Sequence, residues 1–188
     1  MATLTAHAAG PALSPTNTSS PIAAIVHLEH GVADGVLADF AFALRQAGRR
    51  VRGVVQQSTG GTGKEATMLV DLDQGTRFPL FQRLGAGAGS CSIDQHGVAA
   101  ASVVLRGALD AAPDLVVVNR FGALEAAGEG FADEMLALMS EGIPLLTVVA
   151  EAYRFDWQHF TGGAGVELDP SREALDAWFA GLQRGSGR

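Results

Sequence analysis

The sequence predicts an α/β fold: three layers around a mostly parallel sheet of about five strands, with one inserted β-hairpin. Two observations lead there. Short, wholly apolar runs of strand length recur along the chain, and segments whose apolar positions repeat at helical spacing stand between them. Runs without polar alternation suit strands covered on both faces, and strands that alternate with helices imply right-handed crossovers into a parallel sheet.

Ile22–Val26 is the first such run. Val36, Leu37, Phe40, Ala43, Leu44 and Ala47 then recur at helical spacing, and Gly48 stands where a helix usually stops. Val51–Gln56 is the second strand. Thr67–Val70 and Arg77–Phe81, on either side of Asp71-Leu-Asp73-Gln-Gly75, read as the hairpin. A glycine-rich stretch, Gly85 to Cys91, follows without periodicity. Ser92 with Gln95 fits a capping box for a helix striped by Val98, Ala101, Leu105 and Leu109. Leu115–Val118 is the third strand, ending at Asn119-Arg120-Phe121-Gly122, and a helix is expected over Gly128–Ser140. Pro144 introduces the fourth strand, Leu145–Val149. Asp156–Phe160 fits a short helix and Val166–Leu168 a fifth strand. Asp169-Pro170 opens a last helix with Leu175, Trp178, Phe179 and Leu182 inward.

With 188 residues, 47% of them hydrophobic, residues 21–184 are expected to form a single α/β domain around one good core. Residues 1–20, rich in Ala, Ser, Thr and Pro, lack the basic start and apolar centre of a signal peptide and read as a disordered tail. A net charge of −7 argues against a nucleic-acid partner, since such binding relies on cations displacing counterions. Lys64 is the one lysine among thirteen cations. No apolar run approaches the roughly 20 residues of a membrane helix, so no membrane partner is expected. One cysteine, Cys91, cannot form an intrachain disulfide, and a cytoplasmic setting is the default.

In open parallel sheets ligands sit beyond the carboxyl ends of the strands, so the residues after each strand carry the functional expectations. After the first strand, His27-Leu-Glu29-His30-Gly31-Val32-Ala33-Asp34-Gly35 leads into a helix, the setting in which backbone N–H groups and a positive helix end meet a phosphate. Aligned with a nucleoside-triphosphatase loop, Asp34 falls where the lysine belongs and Gly35 where the hydroxyl belongs. A carboxylate repels a triphosphate and a glycine offers Mg²⁺ no oxygen, so conventional hydrolysis by this loop is not expected. Asp34 could instead cap the helix. Ser58 to Lys64 fails as a phosphate loop on spacing. It reads as a mobile surface loop, or as one that folds over the first turn and lends Lys64 to an anion.

After the third strand, Asn119 and Arg120 stand where a hydrolase would hold its metal. Asn119 exchanges hydrogen bonds without neutralising a metal, and Arg120 supplies a planar fork for oxyanions, unless it pairs with Glu125 or Glu129. His27, Glu29 and His30 lack a specific metal-ligand spacing, and no metal site is expected. Gly87–Ser92 is either an ordinary linker or a second anion nest with Ser90 and Arg83 nearby; nothing beside Cys91 marks it as a nucleophile.

Over roughly Ile22 to Leu182 the chain resembles a bacterial family catalogued as a domain of unknown function, itself similar to the small thermophile-type nucleoside-triphosphatases with their P-loop core. The stretches that carry the resemblance are Val51-Arg-Gly-Val-Val55-Gln56, Leu84-Gly85-Ala-Gly87 with Cys91-Ser-Ile-Asp94, Val118-Asn119-Arg120-Phe121-Gly122 with Glu125, and Gly142-Ile-Pro144-Leu-Leu-Thr147. The resemblance implies a P-loop-NTPase-like fold and, through labels of molybdate transport among members, an oxyanion context. The hydrolases' residues do not carry over at Asp34, Gly35, Asn119 or Arg120; Glu125 alone falls near one of their acids.

Three readings follow. The first is a noncatalytic protein that binds a small anion (molybdate, tungstate or the phosphate of a nucleotide such as ATP) through Gly31–Gly35, with Arg120 and Asn119 closing the site. The second is an atypical nucleoside-triphosphatase in which Glu125 orients water. The third is an interaction module that forms a homo-oligomer through a sheet edge or helix face.

Overall fold

The computed structural model describes residues 20–28, 31–60, 66–82 and 92–185. Nine strands and six helices lie in these segments. In chain order they are β1 (Ile22–His27), α1 (Val32–Gln46), β2 (Val51–Ser58), β3 (Thr67–Asp71), β4 (Arg77–Pro79), β5 (Phe81–Gln82), β6 (Ser92–Ile93) and α2 (Gln95–Ala111). The second half comprises β7 (Leu115–Phe121), α3 (Ala123–Ala126), α4 (Ala132–Ser140), β8 (Leu145–Ala150), α5 (Arg154–Phe160), β9 (Val166–Leu168) and α6 (Arg172–Gly185).

The main sheet has seven strands in the order β4-β3-β2-β7-β8-β1-β9. Five of them, β2, β7, β8, β1 and β9, are mutually parallel, and they are the five apolar runs legible in the sequence. The expected hairpin is β3 and β4, which add antiparallel strands to the β2 edge. β5 and β6 pair separately as a small two-stranded sheet.

Strand periodicity divides the core between the two faces. Ala23 and Ile25 of β1, Leu115 and Val117 of β7, and Leu146 and Val148 of β8 pack with Leu37, Phe40, Trp178 and Phe179 under α1 and α6. Their alternates Ala24, Val116, Val118, Leu145 and Val149 pack with Val98, Leu105, Met135, Leu138 and Trp157 under α2, α4 and α5. Helices on both faces make the three layers. β2 can lie against β7 because Gly53, at φ +112°, has no Cβ to strike the Val117 carbonyl.

Several boundaries differ from the sequence expectation. α2 begins at Gln95, not at Ser92: Asp94 is its cap, and its Oδ1 accepts from Gly97 N at 2.9 Å. Ser92 is taken into β6 instead. The helix expected over Gly128–Ser140 begins only at Ala132, as α4, because Gly128 and Gly130 adopt φ +78° and +62° before it, and the short α3 that precedes them was not expected. β7 runs three residues past Val118, and those residues are the ones that matter for the site.

Candidate functional site

The β1–α1 connection is built on Gly31, which sits at φ +96° and precedes α1 without any side-chain cap. A residue with a Cβ would be strained there. The first-turn N–H groups of a helix have no partners within it, so the end of α1 presents a partial positive charge to the carboxyl edge of the sheet. α1 is followed on one face and the helices after β7 and β8 on the other, which opens a crevice where the strand order reverses.

The end of β7 is shaped by a bulge. Val118 pairs with Thr147 and Phe121 with Val149, so Asn119 and Arg120 together oppose the single residue Val148. Thr147 fastens it: its Oγ1 donates to the Val118 carbonyl at 2.6 Å and accepts from Phe121 N at 3.1 Å. Beyond the bulge Phe121 returns to the core and packs on Trp157 and Phe160, with ring centroids 5.3 and 5.1 Å apart. The bulge thereby re-aims Asn119 and Arg120 at the sheet edge.

There Arg120 Nη2 donates to Asp34 Oδ2 at 2.5 Å, joining the end of β7 to the first turn of α1. Asp34 therefore does not cap α1, because its carboxylate is held by a guanidinium instead. Nor does Arg120 pair with Glu125 or Glu129, since Asp34 lies closer to where the bulge aims it. Asn119 is 0% exposed, and among the described residues neither its Oδ1 nor its Nδ2 has a hydrogen-bond partner. Such orphaned amides are rare in folded proteins and call for an explanation.

Glu125 begins its own local structure. Its Oε2 accepts from Gly122 N at 3.0 Å and its Oε1 from Phe131 N at 3.1 Å, which ties α3 to the start of α4. Burial pushes its carboxyl above the ordinary range, although these backbone hydrogen bonds pull the other way. Gly130 is required beside it, since a Cβ at that position would strike Glu125 Oε1.

These groups line one cleft of about 800 Å³ at the carboxyl edge. Gly31, Asp34 and Gly35 come from α1 and its lead-in, and Asn119, Arg120 and Glu125 from the region after β7. Gln56, Gln57 and Ser58 at the end of β2, with Thr67, add a polar side, while Leu80, Phe81, Ile93 and Phe131 form an apolar wall. The size suits a ligand larger than a bare tetrahedral ion.

The sequence-derived set is only partly brought together. His27, Val32 and Ala33 line a second cavity on the opposite side of the α1 end, with Leu168, Pro170 and Arg154, whose Nη2 lies 2.6 Å from Glu167 Oε2. The helix itself separates the two groups, because successive residues of its first turn point in different directions. His30, Lys64, Arg83 and Ser90, and also Cys91, lie outside the described residues. Sequence reasoning missed Thr147 and the β2 glutamines as site residues. The only signal for Gln56 was its place just after an apolar run, and nothing local marks Thr147.

Among the described residues no three His, Cys, Asp or Glu side chains gather as a metal set. Nor is any described helix long and apolar enough to cross a membrane.

The sheet order, the glycine-led turn into α1 and the cleft at the carboxyl edge define a P-loop-like α/β protein. The solution structure of a human cancer-related nucleoside triphosphatase has the same fold, with a TM-score of 0.60 over 89% of this chain and 99% of that one at 18% identity. The chain belongs to the family described as protein of unknown function (DUF2478), whose model matches residues 22–178. It is also 40% identical over 160 residues to the molybdenum import ATP-binding protein ModC 2 of Bradyrhizobium diazoefficiens. That alignment takes in 84% of this chain and 18% of the relative, so the chain spans less than a fifth of that protein's length.

Proposed function

We propose that this chain is a noncatalytic P-loop-like binding protein that takes a nucleotide phosphate or another small oxyanion in the cleft at the carboxyl edge of its sheet. The observation that carries the reading is Asn119, fully buried in the cleft wall with both amide atoms unpartnered among the described residues. Backbone N–H groups of the uncapped α1 end would hold the anion, and Arg120 and Asn119 would close over it. Nucleotide binding is supported by the names of the relative and of the structural neighbour, an ATP-binding protein and a nucleoside triphosphatase. The absence of hydrolysis is supported by the site's own groups. Asp34 takes one N–H of Arg120 and offsets its charge, Gly35 has no hydroxyl, and both oxygens of Glu125 already accept backbone N–H groups.

Titration calorimetry with ATP, GTP, phosphate, molybdate and tungstate tests this. Binding in the millimolar to submicromolar range is expected with at least one of them, and it is expected to be lost in Arg120→Ala. Heat from none of them would end the proposal. One feature favours a hydrolase instead: Glu125 lines the cleft, and burial pushes its carboxyl upward, toward the range of a general base. Phosphate release from ATP or GTP that disappears in Glu125→Gln would establish that second reading.

A further inference from the structure

The Arg120–Asp34 pair is made through one hydrogen bond only. A guanidinium facing a carboxylate commonly forms two, but here Arg120 Nε and Asp34 Oδ1, both buried, have no partner among the described residues. The neighbouring Asn119 contributes its unpartnered Nδ2 and Oδ1. Residues of the cleft wall thus hold two idle donors, Arg120 Nε and Asn119 Nδ2, and two idle acceptors, Asp34 Oδ1 and Asn119 Oδ1, each with almost no exposed surface of its own. Turning the amide over exchanges its two sites and leaves the count unchanged.

A matching ligand must both accept and donate. Fully deprotonated oxyanions such as sulfate, molybdate and tungstate at neutral pH offer acceptors alone. They would satisfy Arg120 Nε and Asn119 Nδ2 while bringing oxygen against the Asp34 carboxylate and the Asn119 carbonyl. Inorganic phosphate near neutral pH retains a proton even as its dianion, because its third ionisation lies far above that pH, whereas a phosphomonoester, whose second ionisation falls at about pH 6, keeps one only in its monoanion. Its P–OH can donate to Asp34 Oδ1 or Asn119 Oδ1 as its other oxygens accept. We infer that the cleft selects an oxyanion that still carries a proton, namely inorganic phosphate or the monoanion of a phosphomonoester, over sulfate, molybdate and tungstate. This rests on the anion-binding reading above and names the ligand within it. It also gives Asp34 a purpose: its carboxylate is the acceptor that an unprotonated anion cannot satisfy.

The test is calorimetry on the full chain at neutral pH and fixed ionic strength with inorganic phosphate, AMP, sulfate, molybdate and tungstate. Inorganic phosphate is expected to bind at least tenfold more tightly than sulfate, which matches it in shape, and AMP is expected to bind more tightly as pH falls toward about 6 and its phosphate regains a proton. Comparing inorganic phosphate with AMP separates a free ion from a phosphomonoester. In Asp34→Asn the amide can turn an N–H toward the anion, so the phosphate-to-sulfate ratio is expected to fall by at least threefold. Circular dichroism checks that the variant folds, and the comparison on the unaltered chain stands whether or not it does. Sulfate, molybdate or tungstate binding as tightly as phosphate and AMP would overturn the inference while leaving the anion-binding reading intact. Heat from none of the five would remove that reading, and the selectivity with it.

Discussion

At Glu125 two backbone N–H groups reach a carboxylate that burial pushes above its ordinary range. For a carboxyl whose pKa is higher in the folded than in the unfolded chain, the stability it contributes is complete below the unfolded value. It is lost as pH rises through the raised value. Glutamine cannot accept both N–H groups with one oxygen, so Glu125→Gln is expected to cost about 1–3 kcal/mol where one of them is left unpaired. The deficit relative to the unaltered chain should be largest below the unfolded value of about 4.3 and shrink as pH rises through the raised one, where ionisation of the native carboxyl is the disadvantage. Urea unfolding at a series of pH values measures it, and a deficit that grows toward neutral pH would contradict the assignment. Asp34 makes the complementary point. As an acid in the first turn of a helix it was visible in the sequence, but its partner is 86 positions away and no spacing rule reaches that far.

The element that decides the site is the bulged end of β7. One threonine hydroxyl on the neighbouring strand bridges the carbonyl before the bulge and the N–H after it. Thr147→Val keeps the shape and removes both hydrogen bonds in a fully buried place, so it is expected to destabilise the fold by about 1–3 kcal/mol. Because the bulge aims Asn119 and Arg120, the same change should weaken anion binding several-fold, and Thr147→Ser should restore both properties. Calorimetry and urea unfolding on the two variants read the outcome; binding unaltered in Thr147→Val would mean that the bulge does not position the site. The sequence revealed this strand through Leu115–Val118 but not its last three residues, since Asn119 and Arg120 interrupt the apolar pattern by which a strand is recognised.

The layers on the two faces of the sheet each hold one of the chain's two tryptophans, Trp157 on α5 and Trp178 on α6. Trp178 also donates through Nε1 to the Ser20 carbonyl at 2.9 Å, which fastens the last helix to the start of β1. If residues 21–184 form one domain, as we propose, the two layers share the sheet between them and should unfold together. Fluorescence of Trp157→Phe reports the α1/α6 layer and that of Trp178→Phe the opposite one. In each variant the urea midpoint by fluorescence is expected to coincide with the midpoint by far-ultraviolet circular dichroism. Midpoints that separate in either variant would divide the domain.

The sequence by itself determined the five parallel strands, the hairpin beside them and the helices that cover both faces, because burial on two sides and on one stripe leaves periodic traces in a chain. It also showed Asp34 and Gly35, which we propose stand in place of a phosphate loop's lysine and hydroxyl. Only the tertiary structure decided which of the residues after the strands meet. It placed Asp34, Asn119, Arg120 and Glu125 around one cleft and turned His27, Val32 and Ala33 toward another. It also added the short α3 and began α4 only at Ala132, beyond two glycines with positive φ. Those outcomes depend on a bulge, a helix rotation and an ion pair between distant segments, and interactions of that range leave no period for the sequence to show.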